Sequence, residues 1–420
     1  MIEKEQLKMK LLIKNITQLV TCSGFAAKKG QEMANLGIIE DGAVAIEDGI
    51  ITDVGTTAEV MGRLNTYYPE IDARGKALLP GFVDSHTHFV FGGYRQEEFS
   101  WRLRGDSYMS IMERGGGIVH TMKATRESNF EQLYETARSR LDEFLAMGVT
   151  TVEGKSGYGL DLETEIRQLE VMASLRMKHP IGIVSTYLGA HALPPEFVGR
   201  PDAYIDFLIA EALPHIQPEW GVDFCDVFCE KGVFSLEQSE RLLLAARQYG
   251  LKLKLHADEI VPLGGAELAA RLQATSADHL LYASDEGIRQ MAAKEVVATL
   301  LPLTAFSLKE PYARGREMID AGCAVALASD LNPGSCFSSS IPMLIAIACI
   351  YMKLSPEEVI TALTINGAAA LDRADTIGSI DVGKQADMIL LQYPSYKFLP
   401  YHFGMNIVDT VIKKGEILKK

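Results

Sequence analysis

The chain lacks the cysteine framework and the basic surface that would indicate a disulfide-rich secreted protein or a nucleic-acid-binding protein. Its six cysteines are scattered over 420 residues, and the four-residue spacing of Cys225 and Cys229 does not match the usual CxxC zinc motif. We therefore expect free thiols and a location in the cytoplasm. With 55 acidic and 41 basic residues, the net charge of −14 argues against a general surface for nucleic acid or anionic membrane.

Targeting segments, membrane spans and nucleotide-binding loops are also missing from the pattern. Residues 1–14 are polar and charged, without the apolar region of a signal peptide. The longest strongly apolar stretch, Ile341–Met352, is too short to span a bilayer and predicts a buried helix. The glycine run at 115–117 lacks the Lys-Ser/Thr of a phosphate loop and predicts a flexible turn. These absences favour a protein that acts on a small molecule, with no nucleic-acid or membrane partner.

A regular alternation of strand-like and helix-like segments occupies the middle of the chain. Eight such units predict an α/β fold, a (β/α)8 TIM barrel. An open doubly wound sheet would need a glycine-rich dinucleotide turn after its first strand, and none is present. The eight predicted strands are Ala77–His88, Val149–Lys155, Ile183–His191, Cys225–Glu230, Leu251–His256, Ala277–Leu281, Val296–Leu301 and Val325–Asp330.

Both ends of the chain have a different pattern. Short strand-like pieces separated by Gly, Asp and Asn occur before residue 77 and again after residue 380. Because chain ends often lie close together, the two ends can build one domain. The sequence therefore predicts a small β-sandwich domain from residues 1–76 and 381–420, and a catalytic barrel over residues 77–380.

The first predicted barrel strand carries the most informative motif, LLPGFVDSHTHFV at residues 78–90. Side chains of a strand alternate between its faces, so His86 and His88 point the same way. Two imidazoles on one face can hold one metal ion.

The other predicted strands also end in reactive side chains. Barrel enzymes place their catalytic groups at the C-terminal ends of the strands. Five of the nine histidines lie at such ends, which is stronger evidence for a site than any single motif. Read in order, the strand ends carry His86 and His88, Lys155, His191, Glu230, His256, His279 and Asp330; strand seven offers nothing reactive.

His256 and Asp330 complete a predicted metal site with His86 and His88. A core histidine held by a hydrogen bond and a structural carboxylate cap are the alternatives for these two residues. An ionised carboxylate at the end of so apolar a strand needs a cation or hydrogen-bond donors. Three histidines and one carboxylate around an open position suit hydrolysis, because the ion lowers the pKa of water and polarises a carbonyl group. Zinc and iron fit equally well.

Four further residues have less certain roles. His279 is predicted to bind metal or to stabilise an oxyanion, whereas strand alternation points its neighbour Asp278 to the opposite face and makes it structural. Glu259, three residues after His256, is a candidate proton shuttle, although a surface glutamate fits the sequence nearly as well. Strand alternation predicts that Glu230 points inward and that the lysine after it points outward. No lysine at this strand end would then bridge two ions, so we expect one ion per chain. Lys155 is a less favoured bridge.

These motifs resemble the amidohydrolase superfamily over essentially the whole chain. The shared features are PGFVDSHTH at 80–88, the later HADE at 256–259, the histidine of strand six, the Ser-Asp of strand eight and the closing GSIDVGKQADM at 378–388. More specific strings closely match one branch of that superfamily: FGGYR at 91–95, GGGI at 115–118, EGKSGYGL at 153–160, LGAHA at 188–192, HADEI at 256–260 and DLNPGS at 330–335.

That resemblance implies a hydrolase of a cyclic amide, one that opens 4-imidazolone-5-propanoate to N-formimidoyl-L-glutamate in histidine degradation. It matches one zinc or iron ion to His86, His88, His256 and Asp330, and a catalytic role to His279. Glu259 and Asp330 are the further catalytic candidates, because either carboxylate could take the proton from water. It also implies a homodimer. The implied substrate contacts are Arg95, Tyr158, His191, Glu259, Asn332, Gly334 and Ser335.

Three alternatives remain open at this point. Another cyclic amidase or a nucleobase deaminase would share the metal site, although neither needs a cation for a propionate tail. A non-catalytic scaffold would be expected to have lost metal ligands, and all four are present here.

Overall fold

A computed structural model of the chain describes residues 9–106, 114, 116–216 and 221–419. Gly115, from the predicted glycine turn, lies outside these residues. In chain order the described strands are β1 Lys10–Val20, β2 Ile38–Glu47, β3 Ile50–Thr56, β4 Glu70–Asp72, β5 Ala77–Pro80, β6 Phe82–Asp84, β7 Val149–Lys155, β8 Gly182–Ala190, β9 Val222–Cys229, β10 Lys252–Ala257, β11 Ser276–His279, β12 Val297–Leu300, β13 Val325–Leu327, β14 Met388–Leu391, β15 Val408–Lys413 and β16 Glu416–Lys419.

The helices mostly lie between the barrel strands. The α-helices are Thr57–Arg63, Gln96–Leu103, Ile118–Glu127, Phe130–Ala146, Leu162–Lys178, Pro201–Phe207, Leu236–Gln248, Gly265–Leu272, Asp285–Lys294, Pro302–Leu308, Gly315–Asp320, Ile341–Ile350, Pro356–Leu363, Ile365–Ala370 and Phe398–Tyr401. Short 3-10 turns span Gly30–Ala34, Pro195–Phe197 and Leu213–His215, and a π turn spans Leu208–Ala212.

Strands β6 to β13 pair in chain order as one parallel sheet of eight. The chain just beyond β6 pairs with the chain just beyond β13 through a parallel bridge between Thr87 and Leu331, which brings the two edges of the sheet together. The predicted TIM barrel is therefore confirmed. Each predicted strand lies within a few residues of an observed one, and the match is complete for Val149–Lys155.

The helices around the barrel follow from apolar residues at helical spacing and from polar caps. In helix Phe130–Ala146 the buried residues Leu133, Ala137, Leu141 and Phe144 recur every three to four positions and face the barrel. Asn129 closes its first turn through a capping box with Gln132. The apolar stretch at 341–350 is a helix with most of its side chains buried, as predicted, and no described helix is long and apolar enough to cross a membrane.

The two chain ends form a second sheet of eight strands, in the order β16-β15-β14-β5-β1-β2-β3 with β4 paired to β1. This sheet is mixed, and it curls until β3 meets the chain before β14 at the Ile50–Gln385 bridge. Its core contains apolar side chains from both ends of the chain, among them Ile13, Val44, Met388 and Ile412. The strand pairing thus builds one mixed sheet from both ends of the chain.

The strand predicted over Ala77–His88 is in fact two strands. Its first half, β5, pairs with β1 and β14 in the small sheet, and its second half, β6, pairs with β7 in the barrel. Gly81 lies between them, and a side chain there would collide with Thr150 at 2.3 Å. The chain therefore changes sheet at Gly81 rather than at residue 77, because only glycine lets the two sheets approach so closely.

A buried ion pair strengthens this junction. Lys413 of β15 lies 2.7 Å from the Asp387 carboxylate and 3.4 Å from Thr151 Oγ1 on barrel strand β7. The carbonyl of Asp387 in turn accepts a hydrogen bond from the amide of Gly81. The pair therefore links the small sheet, the barrel and the crossing point of the chain.

We expect Lys413→Met to lower the free energy of unfolding by about 3 kcal/mol or more, since it leaves the Asp387 carboxylate buried without its partner. Chemical denaturation followed by circular dichroism measures the change. Lys414→Met, at the exposed neighbouring position, is the control and should stay within about 0.5 kcal/mol of the parent. Equal stability of the two variants would contradict this role for the ion pair.

Candidate active site

The site begins where the chain leaves β6. His86 and His88 are both buried there. The carbonyl of His86 accepts a hydrogen bond from the amide of Asp330, and the amide of His88 donates to the carbonyl of Leu331. These two bonds place the histidines of the first strand directly beside the carboxylate that follows the last strand.

Asp330 faces both of those histidines. Its Oδ1 atom lies 3.6 Å from His86 Nε2 and 3.6 Å from His88 Nε2, while its Oδ2 atom accepts a hydrogen bond of 2.6 Å from Thr304. Asp330 has a φ of 51°, in the left-handed region that a non-glycine residue rarely adopts. Such a costly backbone conformation is typical of functional positions.

Three more histidines complete the cluster. The ring of His256 lies 4.5 Å from that of His86, 5.6 Å from His88 and 5.1 Å from His279, between ring centres. His191 stacks on His88 at 5.0 Å. The structure thus brings together all five histidines that the sequence placed at strand ends. Ligand atoms lie within 4.8 Å of one another in three sets: His86, His256 and His279; His88, His191 and His256; His86, His88 and Asp330.

This donor set fits a metal ion. The Nε2 atoms of His86 and His256 are buried and have no hydrogen-bond partner among the described residues. Burial lowers the pKa of His86, His88 and His256 well below the usual range, so these rings are neutral and can donate a lone pair. Burial also raises the pKa of the Asp330 carboxyl to about 7, and a nearby cation would favour its ionised form.

Carboxylates hold two of these rings from behind. Asp278 Oδ2 lies 2.6 Å from His86 Nδ1, and Asp226 Oδ2 lies 2.9 Å from His256 Nδ1. Contacts of this kind orient the histidines of metal sites. The prediction that Asp278 points away from the site is therefore wrong. Strand alternation fails because the chain leaves β11 at His279, which has a φ of 76°.

Two lysines neutralise the carboxylates beneath the cluster. Lys155 Nζ lies 2.7 Å from Asp226 and 3.0 Å from Glu153, while Lys254 Nζ lies 2.7 Å from the other oxygen of Glu153. All four side chains are fully buried. The carboxylates raise the pKa of Lys155 despite its burial, so it stays charged. Sequence reasoning missed Glu153, Asp226 and Lys254, although alternation along β7, β9 and β10 places such residues inside the barrel.

Glu259 lies beside His279, with 3.6 Å between Oε2 and the ring Nε2. Burial, followed by the charges of Asp330 and Glu230, raises the pKa of Glu259 to about 8. The predicted inward position of Glu230 agrees with its burial. Glu230 contacts the loop rather than the histidine cluster, because its carboxylate accepts hydrogen bonds from the amides of Lys231 and Ile260.

Tyr158 and His191 form one wall of the site. Their rings are 5.1 Å apart, and Tyr158 lies 5.7 Å from His88. Helix Leu162–Lys178 holds the loop that carries Tyr158: Glu165 accepts hydrogen bonds from three loop amides and Gln168 from the amide of Tyr158. The tyrosine is therefore fixed by the element that follows it in the chain.

Arg95 lies on another side and is held by Glu98. Its Nε and Nη2 atoms donate to the same Glu98 oxygen at 2.9 and 2.7 Å, which leaves Nη1 for other acceptors. Nη1 approaches Gly334 so closely that a side chain there would meet it at 2.3 Å. Gly334 thus makes room for the guanidinium.

The turn after Asp330 is held by Asn332. Its side-chain oxygen accepts from the amides of Gly334 and Ser335, and its side-chain nitrogen donates to the carbonyl of Asp330 and to the Ser335 hydroxyl. The predicted substrate contacts Asn332 and Ser335 therefore already bond to each other, and their structural role is to shape the loop beside Arg95.

Comparison with known proteins identifies the family. Two models described as "Amidohydrolase family" match residues 69–117 and 232–418. The chain is 71% identical to the imidazolonepropionase of Parabacteroides distasonis, across 97% of this chain and 98% of that protein. It is 60% identical to the imidazolonepropionase of Clostridium tetani, across 98% and 99%. The chain belongs to the imidazolonepropionase family. As a member of that family and of the amidohydrolases, it is a hydrolase.

Solved structures agree on the fold of this imidazolonepropionase-family chain. An adenosine deaminase from Xanthomonas campestris with bound zinc has a TM-score of 0.72 and 19% identity, across 98% of this chain and 93% of that one. The zinc complex of the atrazine chlorohydrolase TrzN from Arthrobacter aurescens has a TM-score of 0.71 and 17% identity, across 98% and 95%. At such identities the likeness shows the fold alone, so it does not favour the deaminase alternative.

We expect Gly334→Ala to raise the KM for a carboxylate-bearing substrate about 10-fold or more, because the new methyl group displaces the Arg95 guanidinium and weakens a charge-assisted hydrogen bond. The free energy of unfolding should change little, since the clash falls on the end of a flexible side chain. Steady-state kinetics and denaturation measure the two effects. Gly62→Ala, in open space on a helix, is the control; an unchanged KM in Gly334→Ala would contradict the proposed clash.

Proposed function

We propose that this chain hydrolyses the ring amide of 4-imidazolone-5-propanoate and releases N-formimidoyl-L-glutamate. The observation that carries the proposal is that the histidine–Asp330 cluster and Arg95 lie at the same mouth of the barrel. The cluster suits attack on a carbonyl group, and Arg95 suits the propionate tail. Membership of the imidazolonepropionase family supports both parts.

A zinc or iron ion held by His86, His88, His256 and Asp330 would supply Lewis-acid chemistry, lowering the pKa of a water molecule and polarising the carbonyl group. We propose one such ion per chain. A second set of possible ligands, His86, Glu153 and Asp278, lies deeper in the barrel. The ammonium groups of Lys155 and Lys254 already neutralise that region, which leaves no need for a second cation there.

The substrate is bound and oriented by three side chains. Arg95 Nη1 donates to the propionate carboxylate, while the Glu98 carboxylate fixes the other edge of its guanidinium. Tyr158 and His191 lie against the imidazolone ring and limit its rotation. The burial of Tyr158 helps to exclude bulk water from the reacting carbonyl, which strengthens the polar contacts in the site.

The proton transfers fall to Glu259, His279 and Asp330. Burial lowers the pKa of His279 to about 3, so the ring is neutral, and its N–H can donate to the developing oxyanion. Water adds to the ring carbonyl, and Glu259 accepts the proton that the water loses, with Asp330 as the second candidate. A bound cation would favour the ionised form that either carboxyl group needs to act as a base. The same proton passes to the ring nitrogen as the C–N bond breaks, which balances the hydrolysis.

The direct test is hydrolysis of 4-imidazolone-5-propanoate, followed by the loss of its ultraviolet absorbance and by mass spectrometry of the product. We expect turnover by the metal-loaded protein, loss of activity after chelation, and recovery on addition of zinc or iron. Full activity in metal-free protein would contradict the proposed chemistry, and loaded protein that leaves this substrate intact would exclude the substrate.

Replacing Glu259 by Gln should cut kcat by about 100-fold or more, because the side-chain amide of glutamine cannot accept the proton that the glutamate carboxylate accepts. The metal content should remain that of the parent, since Glu259 is outside the proposed ligand set. Kinetics together with elemental analysis checks both statements. Glu310→Gln, a change at an exposed neighbouring carboxylate, is the control; parental kcat in Glu259→Gln would remove Glu259 from the mechanism.

Homodimer formation stays a prediction from the resemblance, and a cytoplasmic location stays a prediction from the cysteine pattern. All six cysteines are free thiols, which supports a reducing compartment.

A further inference from the structure

A cavity of about 830 Å³ lies beside the site, between helix Gln96–Leu103, helix Pro302–Leu308 and the loop at 333–338. Its walls are mostly apolar and include Phe99 and Phe337. The cations Arg95, Arg102 and Lys309 also line it, and no carboxylate is among its described lining residues. Such a cavity attracts a small anion, because the charged residues in its described lining are all positive.

Among the described residues, the Arg102 guanidinium has few acceptors. Its Nη1 and Nη2 atoms make contacts of 3.4 Å there, to the carbonyl of Gly334 and the hydroxyl of Ser307, and both acceptors are neutral. Its Nε atom is buried and has no hydrogen-bond partner in the described parts of the chain. Within the described parts of the chain, no carboxylate lies within 4.0 Å of it to form an ion pair. A guanidinium carries five N–H donors, so this one has unused hydrogen-bonding capacity.

Burial of Arg102 makes that shortage costly. Burial, followed by repulsion from Arg95, lowers the pKa of Arg102. A partly desolvated charge without a partner destabilises the folded protein, and an anionic ligand would relieve the cost. Arg95 differs, because Glu98 already pairs with it.

The two guanidiniums flank the same residue. Nη1 of Arg95 lies over the Cα of Gly334, and Nη1 of Arg102 approaches the carbonyl of Gly334. One Glu98 oxygen occupies the Nε edge of Arg95, which leaves the other edge, Nη1 and the second N–H of Nη2, for a ligand. A carboxylate can accept about four hydrogen bonds, so a second guanidinium beside the first would supply donors for the lone pairs that Arg95 does not reach.

We propose that Arg102 is a second guanidinium that binds the propionate carboxylate of the substrate, together with Arg95. The inference rests on the proposed function for the identity of the substrate, but carboxylate binding by Arg102 can be measured without turnover. It makes Arg102 a specificity-determining residue that selects a ring bearing an acidic tail over a neutral one.

The test is calorimetric binding of 3-(imidazol-4-yl)propanoate and of its neutral propanamide to the metal-loaded parent, Arg102→Leu and Arg102→Lys. We expect Kd for the propanoate to rise about 10- to 100-fold in Arg102→Leu and less in Arg102→Lys, whereas Kd for the propanamide stays within about 2-fold of the parent. Arg104→Leu, at an exposed position two residues away, is the control and should bind both ligands like the parent.

Three results would overturn the inference. They are equal propanoate affinity in Arg102→Leu and the parent, an equal loss of affinity for propanoate and propanamide, and absence of propanoate binding to the parent. Adding inorganic phosphate as a competitor separates a general anion site, which phosphate would occupy, from one shaped for the carboxylate of the substrate. Hydrolysis assays decide the proposed function separately. If the protein failed to hydrolyse the proposed substrate, Arg102→Leu would still weaken binding of the propanoate more than binding of the propanamide.

Discussion

The site depends on buried charges that hold its histidines from below. Asp278 and Asp226 orient His86 and His256, and Lys155 contacts both carboxylates, so the orientation of one ring is tied to that of the other. Removing any one of these charges would leave its partners buried without compensation, which is costly. The barrel therefore positions these histidines by making part of its own interior ionic rather than apolar.

Charge is arranged in layers along the barrel axis. The deep layer of carboxylates and lysines is closed to solvent, and above it lie neutral imidazoles with unpartnered nitrogens. The outer layer contains guanidiniums and a mostly apolar cavity wall. The proposed cation would face imidazole nitrogens and the Asp330 carboxylate, and the proposed carboxylate ligand would face the guanidiniums of Arg95 and Arg102.

The sequence predicted the barrel because its strands and helices repeat with clear periods, and it predicted the histidine cluster because strand ends of a barrel meet at one mouth. It failed where regular geometry breaks. Asp278 faces the site because His279 adopts a left-handed backbone conformation, and alternation cannot foresee that. Gly81 splits one predicted strand between two sheets, which depends on a close approach to Thr150. Arg95 and Glu98, three residues apart at the start of a helix, are a pair that local spacing could have suggested. Partners such as Asp226 for Lys155 come from packing between distant strands, which no local pattern encodes.

The central claim is a single ion bound by His86, His88, His256 and Asp330. Elemental analysis of fully active protein, repeated on His88→Ala, tests it most directly. The account predicts a ratio close to one ion per chain in the parent, and loss of both the ion and the activity in the variant. A ratio near two, or full activity with no bound metal, would contradict it.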